Sequence, residues 1–183
     1  MFVGELKTDD QRVRLIAPNV ERDAPLSLRW LAGPVGRETL RLMGMPDEDN
    51  YESTLEAERK RIEEFLGDNG ELDWMIELDG AVVGAIWIHT HDGENIKAPA
   101  ISMMLGDATA RGHGTGRAAF AAVLGWLKDV RHEHVVYARH LLENAASRNL
   151  SQAFGFVDDG EPYVDHDGLH WQNVRLNLKE NNS

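Results

Sequence analysis

No cysteine occurs anywhere in the 183 residues. That excludes disulfides, thiolate metal sites and a cysteine nucleophile, and it agrees with a reducing compartment. No apolar run approaches the roughly 20 residues that span a bilayer. The opening MFVGELKTDDQ has neither the basic nor the apolar region of a signal peptide, so the expectation is a cytoplasmic protein. Basic residues are scarce: 19 Lys and Arg stand against 31 Asp and Glu, a formal charge of −12. Phosphate backbones and anionic membranes select for basic patches, so neither nucleic acid nor a membrane is expected as a partner. The acid excess mildly favours a cationic substrate, and solubility alone is the plainer account of it.

What is present has globular proportions, 42% hydrophobic and 27% charged, with no repeat, low-complexity tract or linker. One domain over residues 1–183 is the reading. VRLIAP, from Val13, reads as a strand. In ERDAPLSLRWLAGP the expected N-cap is Asp23, with Pro25 in the first turn and Gly33-Pro34 as the stop. A second helix is expected to begin near Tyr51 or Ser53 and to end at Gly67 or Gly70. Leu55, Ile62, Phe65 and Leu66 form its apolar stripe, with Glu56 and Lys60 on the solvent side. LDWMIELDGAVVGAIWIHTH reads as a hairpin about Asp79-Gly80, a dipeptide suited to a type I′ turn. AISMML and EHVVYARHL are further strands, ASRNLSQAFG is a short helix closed by Gly155, and FVDDGEPYV and HWQNVRLNL are the last strands. The tail KENNS is expected to fray. The sum is an α+β domain.

The most informative stretch is ARGHGTGRAAFAAVLGWL, starting at Ala110. Alternate glycines run into a helix expected to reach about Val130, with Phe120, Val123, Leu124 and Leu127 on one face. A helix N-terminus presents unpaired N–H groups and a positive dipole end, and glycines let a phosphate approach them without meeting a Cβ. Arg111, His113 and Arg117 add cations or donors at the same turn. A glycine-rich turn that merely caps a helix is the plain alternative. No G-x-x-x-x-G-K-[ST] occurs, which excludes a P-loop. GTGRAA, Gly114 to Ala119, fits the loose dinucleotide fingerprint. Its context rejects a nicotinamide site, because GDATAR separates the strand end at Leu105 from Gly112 and one short helix is all that remains downstream.

RGHGTG, read as R-x-x-G-x-G, resembles the acyl-CoA pyrophosphate loop of the GNAT N-acetyltransferases. NAASRNLSQAFGF resembles the N-x-x-S-x-x-L-x-x-x-G-F segment of their ribosomal-protein N-terminal acetyltransferase-like (RimJ/RimL-like) branch. VRLIAPNVERDAPLSLRWL resembles that branch's opening strand and helix, and DGAVVGAIWI its central hairpin. The resemblance implies a GNAT fold, a mixed, mostly antiparallel twisted sheet of about six to seven strands flanked by about four helices. It implies acetyl-CoA as cosubstrate, no metal, and direct transfer of the acetyl group to a primary amine, either an N-terminal α-amine or a small-molecule amine.

Residue by residue, the resemblance implies that Arg111, Gly112, His113, Gly114, Thr115, Gly116 and Arg117 hold the pyrophosphate, chiefly through backbone N–H groups. The strand from Ser102 through Met103 and Met104 to Leu105 would pair with the pantetheine arm like an added β-strand and supply an oxyanion donor. Asn144 would bond the pantetheine or adenosine-side arm, and Ser147 would stand near the thioester sulfur as the proton donor to the leaving thiolate. Read from the residues alone, Asn144 and Ser147 are equally ordinary helix caps.

The amine must arrive neutral. An α-amine with pKa near 8 is roughly a tenth neutral at pH 7, and a lysine-type amine near 10.4 about once in a few thousand. Members of the branch often carry a glutamate just before the strand, where PAISMML has Ala100. With that carboxylate missing, a base-free transfer that prefers low-pKa amines is the expectation. His89 and His91, two apart on the preceding strand, are substrate-side candidates with Ser102. Both histidines read as exposed hairpin-end residues, with proton transfer as the alternative. Metal ligation would need a third partner, and His132, His134 and His140 supply none at a recognisable spacing, so no metal is expected. Ala100 also leaves open a non-catalytic acyl-CoA-binding regulatory module. Oligomeric state is not legible.

Overall fold

The computed structural model describes residues 2–45, 53–67 and 70–178. Its centre is the expected hairpin, β3 (Glu71–Leu78) and β4 (Ala81–His89). Asp79 and Gly80 turn it with φ of 50° and 83°, both positive as a type I′ turn requires. The other strands are β1 (Leu6–Lys7), β2 (Val13–Ile16), β5 (Ala100–Leu105), β6 (Val135–Leu141), β7 (Val157–Asp158), β8 (Tyr163–Val164) and β9 (His170–Asn177). Among the described residues they form one nine-stranded sheet in the order β1-β2-β3-β4-β5-β6-β9-β7, with β8 also paired to β9. Every pairing is antiparallel except that of β5 with β6. The sheet exceeds the expected six to seven strands because β1, β7 and β8 have two residues each, too few to show an alternating pattern.

Among the described residues five α-helices cover the two faces: α1 (Val20–Trp30), α2 (Gly33–Leu42), α3 (Leu55–Leu66), α4 (Thr115–Asp129) and α5 (Ala145–Ala153). α4 lays Phe120, Val123, Leu124 and Leu127 on a core that holds Leu15, Trp74, Ile86 and Ile101, as the spacing predicts. Phe154 and Phe156, either side of the Gly155 turn (φ 83°), pack on Phe120 at 5.3 and 5.9 Å. The opposite face is closed by Trp30, Leu31 and Leu40 over Ile16, Met75, Ala85 and Met104.

Three expectations about the first helices are corrected. The N-cap of α1 is Asn19, four residues before Asp23, so Pro25 lies inside the helix and not in its first turn. Asn19 Oδ1 accepts from Arg22 N–H at 2.9 Å, while the buried Asp23 carboxylate accepts from Asn19 N–H at 2.7 Å; this reciprocal pair starts the helix one turn early. Gly33-Pro34 does not simply end α1 but opens α2, since a proline in a first turn loses no hydrogen bond. That adds the fifth helix. α3 begins at Leu55 behind the cap Thr54, and Gly67 closes it; Tyr51 lies outside the described residues, as does the tail after Leu178. Its stripe is narrower than expected: Leu55 and Leu66 are exposed, whereas Glu58 is buried on the inner face, paired with Arg61 and Ser53.

Close backbone approach fixes one position in the central strands. A Cβ on Gly84 would stand 2.2 Å from the Met104 carbonyl oxygen across the ladder. Gly84→Ala is therefore expected to destabilise the protein by about 1–3 kcal/mol, read as a lower urea midpoint with an unchanged slope.

Candidate active site

β5 and β6 are joined at one level only, where Ala100 stands beside Tyr137 and Tyr137 N–H donates to the Pro99 carbonyl at 2.9 Å. Main-chain groups alternate sides along a strand. Since Pro99 faces β6, so do Ile101, Met103 and Leu105, while Ser102 and Met104 face the β4 ladder. Beyond Ala100 the two strands part, and β5 presents an edge toward the gap. The Leu105 carbonyl on that edge is taken by Arg111, whose Nε and Nη2 donate to it at 3.0 and 2.7 Å. Arg111 Nη2 also meets Thr39 Oγ1 on α2 at 3.0 Å.

The glycine turn lies at the end of this edge. Gly112 and Gly114 have φ of 78° and 86°, and a Cβ built on either would meet nothing within 4 Å. The turn is thus shaped for glycine by its backbone, and its surface is open. Gly114 caps α4 without a side-chain hydrogen bond, and the first helical bond runs from Ala118 N–H to the Gly114 carbonyl. The amides of Thr115, Gly116 and Arg117 therefore have no partner within the helix. Arg117 lies over the Phe154 ring at 5.6 Å, and His113 is exposed. A short 3-10 turn, Ala108–Ala110, fills the interval GDATAR.

Across the gap, β6 runs into the N-terminus of α5. Asn144 caps that helix: its Oδ1 accepts from Ser147 N–H at 3.0 Å, and its Nδ2 donates to the Leu42 carbonyl of α2 at 3.3 Å. The capping reading of Asn144 is thus what its side chain does here. Ser147 sits half-buried in the first turn, its carbonyl accepting from Ser151 Oγ at 3.1 Å. α2 touches both banks of the gap, through Thr39 on one and Leu42 on the other. An Arg41–Glu143 ion pair joins the second bank as well.

The α3 side of the sheet carries a polar row next to the same gap. Cross-strand register sets His89 opposite both Glu71 and Ala100, and Trp87 opposite both Asp73 and Ser102. His89 Nδ1 lies 2.9 Å from Glu71 Oε1, Trp87 Nε1 donates to His89 Nε2 at 3.2 Å, and Ser102 Oγ is 3.5 Å from the same nitrogen. Phe65 of α3 stacks over Trp87 with centroids 6.5 Å apart. His89 is thus a half-exposed residue at the strand end, as read from the sequence, with partners that reading did not include. His91 is corrected: β4 ends at His89, so His91 is off the strand, exposed, with its ring 3.0 Å from Thr90 Oγ1. Glu71 and Asp73 escaped the sequence reading. The legible signal was Glu71 and Asp73 at alternate positions at the start of ELDWMIEL, a strand whose third acid, Glu77, pairs with Arg14 instead. Among the described residues no three histidines, aspartates or glutamates converge as a metal site would require.

A family model described as acetyltransferase (GNAT) domain matches residues 12–157. The chain belongs to the GNAT acetyltransferase family. Among solved structures, the GNAT domain resembles an acetyltransferase (GNAT family) from Bacillus anthracis, at 16% identity over 97% of this chain and 100% of that one, TM-score 0.78. It also resembles the Salmonella typhimurium acetyl transferase that modifies the N-terminal serine of a 50S ribosomal subunit protein (15% identity, 96% and 100% covered, TM-score 0.72). A microcin self-immunity acetyltransferase in complex with acetyl-CoA and AMP matches at 16% identity, with 92% and 93% covered and TM-score 0.74. At such identities the likeness is one of fold. No curated protein sequence matches the chain.

As a GNAT enzyme the protein transfers the acetyl group of acetyl-CoA, which sets aside the non-catalytic module. The residues fit that donor: an open strand edge for an extended amide-bearing arm, and an uncapped helix end with glycines for a pyrophosphate. The sharpest test is steric. Gly114→Val is expected to weaken acetyl-CoA binding at least tenfold in calorimetry. Because φ is positive there, it should also cost about 1–2 kcal/mol in unfolding.

Asp73 carries a separate prediction. Burial pushes its carboxyl from 3.8 up to about 6. Its protonated form is favoured by folding, so this contribution is whole below pH 3.8 and is lost as pH rises through about 6. Asp73→Asn should then leave stability nearly unchanged at pH 4 and raise it by about 2 kcal/mol at pH 8, measured by urea unfolding at both values.

Proposed function

We propose that this single GNAT domain acetylates a primary amine, an N-terminal α-amine or a small-molecule amine, in the manner of the RimJ/RimL-like branch and in the cytoplasm. The observation that carries the reading is the gap between β5 and β6, with the glycine turn at one end and the start of α5 on its far bank. Acetyl-CoA supplies an acetyl group activated as a thioester. In this reading the amides of Gly112 to Arg117 bind its pyrophosphate, with the His113 ring as a further donor and Arg117 adding charge. The edge from Ser102 to Leu105 aligns the pantetheine arm, and Met103 N–H, which faces the gap, is the donor for the acyl oxygen. Met104 contributes by packing, since its side chain belongs to the core beneath α1 and α2.

Arg111 acts here as a brace, because its guanidinium already holds the Leu105 carbonyl and Thr39. Asn144 shapes the far bank by capping α5, and Ser147 returns a proton to the leaving thiolate. The fold likeness to an enzyme that modifies an N-terminal serine supports the α-amine acceptor. The acid excess, with Glu71 and Asp73 on the α3 side, supports a cationic acceptor generally.

An amine panel with peptides starting in different residues, small-molecule amines and lysine side chains, read as CoA release, tests the acceptor class. Turnover with at least one primary amine is expected, and release that no amine stimulates would contradict the reading. Ser147→Ala should lower kcat by about tenfold or more while changing acetyl-CoA affinity little. Unchanged turnover would return Ser147 to helix geometry alone.

A further inference from the structure

Ala100 offers no base, yet the residue directly across the ladder from it is His89. From this placement we infer that Glu71 and His89 form a carboxylate–imidazole pair that takes the proton of the incoming amine on the α3 side of β5. The inference rests on the amine-acetylating reading above and gives it the base that the sequence lacks. His89 is the catalytic residue of the pair and Glu71 its positioning residue.

Three contacts define the imidazole. Glu71 Oε1 at 2.9 Å from Nδ1 can only accept, so it draws a proton to that nitrogen. Trp87 Nε1–H, a donor only, points at Nε2 from 3.2 Å and marks Nε2 as the nitrogen with the free electron pair. Ser102 Oγ stands 3.5 Å from Nε2, on the strand that borders the gap. The tautomer that follows has Nδ1 protonated and Nε2 basic, the arrangement a proton acceptor needs. An arriving amine N–H replaces the indole N–H at Nε2, directly or through the Ser102 hydroxyl.

The step balances. The ammonium gives one proton to Nε2, the electron pair so freed forms the C–N bond to the acetyl carbon, and the C–S bond breaks. The nitrogen's second proton passes through the Ser147 hydroxyl or solvent to the departing thiolate, which leaves amide, CoA thiol and one proton on the imidazole. Glu71 balances the imidazolium so formed, while Asp73, two residues along β3, adds a further acid to the same side.

A base changes the substrate range. Amines that are largely protonated at neutral pH become usable, so a lysine-type or polyamine acceptor is no longer disfavoured as it is in a base-free enzyme.

The test follows kcat/KM from pH 5.5 to 9.5 with the best amine of the panel. Wild type should show two ionisations on the acid side, one of the amine and one of the enzyme. His89→Gln should leave only the amine's and lower the plateau by roughly 10²-fold or more, with acetyl-CoA affinity unchanged. Glu71→Val should cost about tenfold in wild type and nothing further in His89→Gln, because it acts through that ring. The nitrogen spectrum of neutral His89 adds a readout without substrate: protonated Nδ1 in wild type, a mixture of tautomers in Glu71→Val. A His89→Gln enzyme within threefold of wild type, retaining both ionisations, overturns the pair while amine transfer stands. So does a ring protonated at Nε2 in wild type. CoA release that no amine stimulates overturns amine transfer, and the pair with it.

Discussion

The hydrogen bond from Tyr137 N–H to the Pro99 carbonyl holds β5 and β6 together at a single level, and the site depends on their parting beyond it. A fully zipped parallel pair would satisfy Met103 and Leu105 and leave no strand edge inside the sheet. An open edge in a sheet centre is costly unless something meets its N–H and C=O groups. Arg111 answers for the Leu105 carbonyl, and an extended arm bearing amides is the natural partner for the remainder. The helix starts on both sides of the gap follow from the same divergence, since α4 starts after one strand and α5 directly after its parallel neighbour.

β5 also divides the chemistry. In the proposed reading its edge and the glycine turn take the ligand that is anionic at one end. Its α3 side faces Glu71, Asp73, His89 and Trp87, whose acids suit a cation. Donor and acceptor can thus reach the strand from different directions without competing for one surface. α2 ties the arrangement together, bonded through Thr39 to the first bank and through the Leu42 carbonyl to the second.

Much of this was legible because local chemistry and tertiary structure agree. Asp79-Gly80, the stripe on α4 and the glycine turn each have one physical solution, and the structure uses it. Where the reading failed, a longer-range partner decided. Asp23 looks like a cap because it precedes a proline, but its carboxylate turns back to Asn19 and moves the cap upstream. Pro34 looks like a stop, yet a proline is equally at home opening the next helix. The folded edge adds what the motif RGHGTG does not announce, that the Arg111 guanidinium holds the Leu105 carbonyl. The acceptor side was least legible. His89 gains meaning only through Glu71, eighteen residues earlier and set opposite it by hairpin register, a pairing that no local motif announces.

Amide hydrogen exchange of the full chain with and without acetyl-CoA tests the central claim, that the parted strands hold the donor. Protection should appear at Met103 on the β5 edge and across Gly112 to Arg117, with Ser102 and Met104, already in the β4 ladder, little changed. Protection confined to other surfaces, with Met103 and the glycine turn exchanging as in the free protein, would contradict it.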